Sequence, residues 1–242
     1  MSDEPARQAT PRPVQFATTR WSLVAHSASN DARAALAELC TRYRYPVYAY
    51  LRRCGHEPVA ARDLADSFFA MLLAEGEGLP QHGRFRAYLL DALHRYLASD
   101  RRISPAAAGA GRTSSEIDPL EHRARHELPE RGTPDQVFAQ GFALEVLSGA
   151  LGKLKLEALG AGRTALFERL EPWLAADPPP GTHDTIARDV GMQSLAVAIA
   201  LRRLRERFRE LVDRELIDTV GDADTLASER ASLARVLAGT AG

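Results

Sequence analysis

The chain has 242 residues, 45% of them apolar, with 31 Lys and Arg against 32 Asp and Glu. That balance excludes a uniformly basic nucleic-acid coat, so any contact with nucleic acid has to come from a local patch. Cys40 and Cys54, the only cysteines, suggest neither a disulfide framework nor a zinc site.

No apolar run approaches membrane-spanning length, and the opening MSDEPARQATPRP is polar and proline-rich, unlike a signal peptide. A soluble cytoplasmic protein with no membrane partner is expected. Almost every patterned segment has the helical period. Residues 31–54 carry Leu36, Leu39, Cys40, Tyr43, Val47, Tyr50 and Leu51, with Pro46 expected to kink or break the helix and Gly55 to end it. A second helix starts near Pro58, a favourable first-turn position, and presents Leu64, Phe68, Met71 and Leu72 before Gly76 and Gly78. The third, from about residue 84 to 101, has Phe85, Tyr88, Leu89, Ala92, Leu93, Tyr96 and Leu97 on one stripe. That stripe reads as core for Phe85 and Tyr88, although aromatic rings there could also stack on unpaired bases.

Residues 104–133 are rich in Ala, Gly, Pro and mixed charge, which reads as a flexible linker. Helical pattern resumes after Pro134 with Val137, Phe138, Leu144, Leu147, Leu151 and Leu154, and again over residues 164–175 with Leu166, Phe167, Leu170 and Trp173. A Pro178-Pro179-Pro180-Gly181 break follows, with Thr182 expected as N-cap. A last helix spans about 224–237. The expected fold is all-α, with two helical domains joined by the linker.

The segment THDTIARDVGMQSLAVAIALRRLRERFREL, residues 182–211, has the spacing of a helix-turn-helix. Ala187 is small enough for close helix approach, Gly191 can take the left-handed turn, and Val197 anchors the second helix. Leu195, Val197 and Leu201 are expected in the core. Gln193 and Ser194 are expected to face base edges or phosphates, with Ala198 and Arg202 one and two turns on along the same face, and Arg203 and Arg205 to be phosphate contacts or solvated surface. Between Gln193 and Arg214, six arginines stand against Glu206, Glu210 and Asp213.

These residues resemble the bacterial extracytoplasmic-function sigma factors, and within them a divergent branch beginning with a TTRWSLV-like segment, here residues 18–24. The likeness covers nearly all of residues 16–238. It implies a subunit that directs core RNA polymerase to promoter DNA. Residues 16–103 would be the region 2-like domain, with CGHEPVAARDLADSFFAMLL as polymerase-docking helix and GRFRAYLLDALHRYLASDRR as the helix that melts DNA and reads the minus-ten element. Residues 104–133 would be the linker, 134–212 the region 4-like domain that reads the minus-thirty-five element, and 213–242 a C-terminal extension. Asp63, Asp66 and Ser67 would lie on the polymerase-binding face, and Arg95, Arg101 and Arg102 on the DNA side of the third helix.

Two departures stand out. The family's run of acids before Leu64 is here Ala60-Ala61-Arg62-Asp63, which removes favourable charge pairs and slows electrostatic steering. A basic residue common in the branch is replaced by Ala198. Ser67 stands where the branch often has a glutamate, and a phosphate there would add about −1.5 to −2 charges. Ser67 is then either a plain exposed helix position or, as a hypothesis, the target of a serine/threonine kinase that restores the acidic face, and an anti-sigma factor is the other controlling partner the resemblance allows. No P-loop, dinucleotide fingerprint, catalytic triad or paired metal-ligand spacing is present, so no enzyme activity, cofactor or metal is expected. A stand-alone helix-turn-helix regulator and a sigma-like adaptor without transcription activity stay open as alternatives.

Overall fold

The computed structural model describes residues 20–21, 24, 30–75, 84–100, 118–127, 131–220 and 222–239. In chain order the helices are α1 (Asn30–Arg53), α2 (Pro58–Glu75), α3 (Phe85–Asp100), α4 (Pro119–Glu127), α5 (Pro134–Gly160), α6 (Thr164–Leu170), α7 (Thr182–Val190), α8 (Ser194–Ile217) and α9 (Ala223–Gly239), with a 3-10 turn at Glu171–Trp173 after α6. Among the described residues the fold is all-α, and β-pairing is confined to one isolated bridge between Arg84 and Val220.

α1 runs unbroken through Pro46, where the sequence suggested a kink or a break. Its neighbours hold it: Tyr45, Val47 and Tyr48 are all buried, so the lost backbone bond is outweighed by packing on both sides of the proline. The ring also serves a helix crossing. α5 passes so close that a Cβ on Gly141 would lie 3.1 Å from the Pro46 Cα. Among the described residues the most extensive helix–helix contact is this one, α1 on α5.

Around that crossing lies the largest core. Tyr43 stacks on Phe142 at 5.2 Å and meets Phe85 edge-on at 5.0 Å. Trp21 covers Phe85 at 5.2 Å and Tyr88 at 6.0 Å. Phe68 and Leu72 of α2, Leu89 and Leu93 of α3, and Phe138 and Val146 of α5 complete it. Phe85 is fully buried, and Tyr96 packs on Phe68 at 5.5 Å, so the aromatic stripe of α3 is turned inward.

This core takes in residues from both sides of the expected boundary at 133/134. Its C-terminal members are Leu216, Val220, Leu226 and Leu233. The stretch 213–242, expected as an extension, is thus partly interior: Thr219 O accepts from Phe85 N at 3.1 Å, and Asp218 O from Trp21 N at 3.1 Å. The far half of α5, together with α6 and α8, builds a second cluster of Ala150, Leu154, Ala158, Phe167 and Leu211. α5 is long and apolar enough to cross a membrane by length and composition, contrary to the expectation that no segment approaches this. Here it is a central helix with Val137, Phe138, Phe142 and Leu154 buried.

The expected linker 104–133 is not without structure. α4 lies inside it, anchored by Glu121, which accepts from Arg52 at 2.8 Å, Tyr48 at 2.7 Å and Arg125 at 2.8 Å. Its last residue, Thr133, is the N-cap of α5 in a reciprocal capping box with Gln136. α6 stops at Leu170, earlier than expected, because Pro172 lacks an N–H and its ring would collide with the carbonyl one turn back.

Two measurements check this packing. Gly141→Val is expected to cost about 2 kcal/mol in denaturant unfolding, through overpacking against Pro46. Gly152→Ala, at a helical site with nothing within 4 Å of the new Cβ, should instead add up to about 1 kcal/mol. Burial on its own would raise the Glu121 carboxyl, but hydrogen bonds from Arg52, Tyr48 and Arg125 outweigh it and lower its pKa from 4.5 to about 2. The unfolded chain therefore takes up the proton first, and stability is lost as pH falls from about 4.5 towards 2. A melting series across that interval should be less steep for Glu121→Gln.

Candidate nucleic-acid interface

α7 and α8 are joined by Gly191, Met192 and Gln193. Gly191 sits at φ 68° and ψ 35° and caps α7. Nothing lies within 4 Å of a Cβ placed there, so the positive φ is the reason for glycine at this corner. Ala187 O accepts from Met192 N at 2.9 Å and closes the turn. Ile186 and Ala187 pack on Val197 and Leu201, with Leu170 of α6 beneath. The N-terminal cap of α7 is Gly181, with φ 82°, and Thr182 is the first helical residue where an N-cap was expected.

One face of α8 looks to solvent: Leu195, Ile199, Arg202, Arg203 and Glu206 follow one another at steps of four, three, one and three, which keeps them on a single stripe. Leu195 is 71% exposed, which corrects its assignment to the core; Val197 and Leu201 are buried as expected. Leu195 lies nearly opposite Val197 around the helix, so both cannot face α7. Ala198 is half-buried at the margin of the stripe, and Gln193 is exposed just ahead of the helix. Ser194 donates its hydroxyl proton to Asp184.

The arginines separate into two groups. Arg202 and Arg203 are exposed, with Glu206 3.9 Å from Arg202. Arg205, expected to contact phosphate, turns the other way. It donates to Trp173 O at 2.8 and 3.0 Å and to Ala176 O at 2.6 Å, and pairs with Asp177 at 3.0 Å. Its donors strap the 171–177 segment to α8 and leave little for a ligand. Arg207 pairs with Glu157 and Glu210, each at 2.6 Å.

Far along the chain, Arg95 is exposed on α3; Arg101 and Arg102 lie outside the described residues. On α2, Asp66 and Ser67 are exposed and Asp63 is half-buried. Asp66 pairs with Arg44 at 2.6 Å. Arg62, the unexpected positive charge of this helix, donates to Asp118 at 2.8 Å, and Asp118 in turn accepts from Leu120 N at 3.1 Å at the start of α4. The basic residue thus has an intramolecular task that sequence reading missed. The acid two residues ahead of Leu120 was the available signal. Among the described residues no group of three or more His, Cys, Asp and Glu side chains could hold a metal ion. Burial pushes the Cys40 thiol up to about 12, which removes it from nucleophilic chemistry near neutral pH.

The chain matches no protein-family model, no curated protein and no solved structure. Its function has to be argued from its own residues.

Arg205→Ala is expected to cost about 1.5–3 kcal/mol of stability, since it leaves two carbonyls and a carboxylate without a charged donor. Limited proteolysis should then cut near residues 171–177 first. Arg203→Ala should leave unfolding within about 0.5 kcal/mol of the unchanged protein.

Proposed function

We propose that the protein is a sigma factor, and that α7 and α8 are its helix-turn-helix. The observation that carries the reading is the left-handed Gly191 corner, with α7 packed on the buried side of α8 while Arg202 and Arg203 are exposed on the other. That arrangement lets the start of α8 enter a major groove while the two arginines reach flanking phosphates. In this reading α2 docks on core RNA polymerase, and α3, with Arg95 outward, lies near the minus-ten element. Tight binding to free DNA is not required, because attachment to polymerase supplies the effective concentration.

A second reading is favoured by α2. Arg62 and Asp66 are both engaged in ion pairs within the chain, so this face offers little free negative charge for a basic partner. An adaptor that keeps the helical fold without productive docking would look the same. Ser67, exposed beside Asp66, is where a serine/threonine kinase would add charge.

Purified core RNA polymerase separates these. The sigma reading expects the full-length protein, or its Ser67→Glu variant, to bind core enzyme and support initiation from a defined promoter. Binding by Ser67→Glu alone puts a phosphorylation switch in place, whereas binding by neither favours the adaptor. In the complex, Arg202→Ala with Arg203→Ala should lower promoter affinity evenly across sequences. The slope of log K against log salt should become shallower by about 2.

A further inference from the structure

The first two turns of α8 present carbon where a base-reading helix usually presents polar groups. Ser194 is half-buried and donates its proton to Asp184, and positions 196, 198 and 200 are all alanine. What reaches solvent from these turns is Leu195 at 71% exposure and Ile199 at 36%, with Met192 at 38% and the polar Gln193 exposed just ahead of the helix. Half of the six exposed large apolar side chains among the described residues therefore meet at this one corner. Leaving them in water is unfavourable, and they are contiguous with the arginine stripe rather than scattered.

Only one base-edge group in the major groove gives an apolar surface, the C5-methyl of thymine. We propose that Leu195 and Ile199 read thymine methyl groups, so that the element recognised by α8 is specified by T·A pairs through van der Waals contact. The proposal rests on the helix-turn-helix reading above and names the chemistry of its target. Charge selects nucleic acid over an apolar protein surface as the occupant. Arg203 continues the same stripe beside Arg202, which is 3.9 Å from Glu206; Asp189 is paired with Arg169 at 3.1 Å, while Asp184 accepts from Ser194 and keeps its charge. Ala198, beside the stripe, adds no bulk that would hold the helix away from the base edges.

The test selects bound sequences from a random duplex DNA pool with the full-length protein, alone and with core RNA polymerase. The selected duplex is then remade with deoxyuridine in place of thymidine, which removes the methyl and keeps every hydrogen-bonding group. Affinity is expected to fall about fourfold for one methyl in contact and about fifteenfold for two. Deoxyuridine outside the selected element should have no effect. Leu195→Ala with Ile199→Ala, at exposed positions and with an unchanged melting temperature, should bind both duplexes equally. Equal affinity of the unchanged protein for thymidine and deoxyuridine duplexes would overturn the methyl reading and leave DNA binding intact. So would undiminished thymidine preference in the double variant. If neither condition enriches any sequence, the helix-turn-helix reading falls with it, and the apolar corner becomes a protein contact.

Discussion

Glu121, Glu215 and Glu229 lie inside the protein, 4%, 3% and 1% exposed. A carboxylate taken out of water has to be met by positive charge, or burial costs several kcal/mol. Each is met by arginine from the N-terminal helices. Arg52 of α1 holds Glu121 of α4, Arg42 of α1 holds Glu215 of α8, and Arg84 and Arg86 at the start of α3 hold Glu229 of α9 at 3.3 and 3.2 Å. Lys153 of α5 adds a second cation on Glu215 at 2.5 Å. Apolar burial brings these helices together without fixing their register. The three clamps do fix it, because a helix rotated or slid by one turn would leave a charge buried and alone.

This explains which parts of the fold were legible in the sequence. The apolar stripes of α1, α2, α3 and α5 announce themselves by spacing, since burial of a helix face requires three-four periodicity. Gly55 and Gly191 were legible because a positive φ leaves few choices of residue. α4 was not: its nine residues carry a single large apolar side chain, Leu120, and its anchor is a buried glutamate. A short charged segment held by ion pairs looks like a linker to any reading based on hydrophobicity. Thr133-Pro134-Asp135-Gln136 is a capping box that marks the start of α5, a signal overlooked in assigning Thr133 to the linker. Pro46 misled for the opposite reason, since its local cost is real but the neighbouring helix overrides it.

The candidate interface was legible in outline and misread in detail. Spacing alone located the turn and the buried Val197 and Leu201. It could not tell that Leu195 faces outward, because at the start of a helix an apolar residue next to an equally apolar neighbour has no phase of its own. Nor could it divide the arginines. Arg205 and Arg203 are two residues apart, about 200° around the helix, so one straps a loop while the other meets water.

α5, with 27 residues, and α8, with 24, each take part in more than one apolar cluster. The N-terminal half of α5 supplies Phe138 and Phe142 as ring partners for Tyr43 of α1, while its C-terminal half supports α6 and α8. A shared helix of this kind ties the two halves into one core. Joining the first 133 residues to another protein's second half would strip Tyr43 of both rings, so the halves cannot be exchanged as separate modules without rebuilding the core they share.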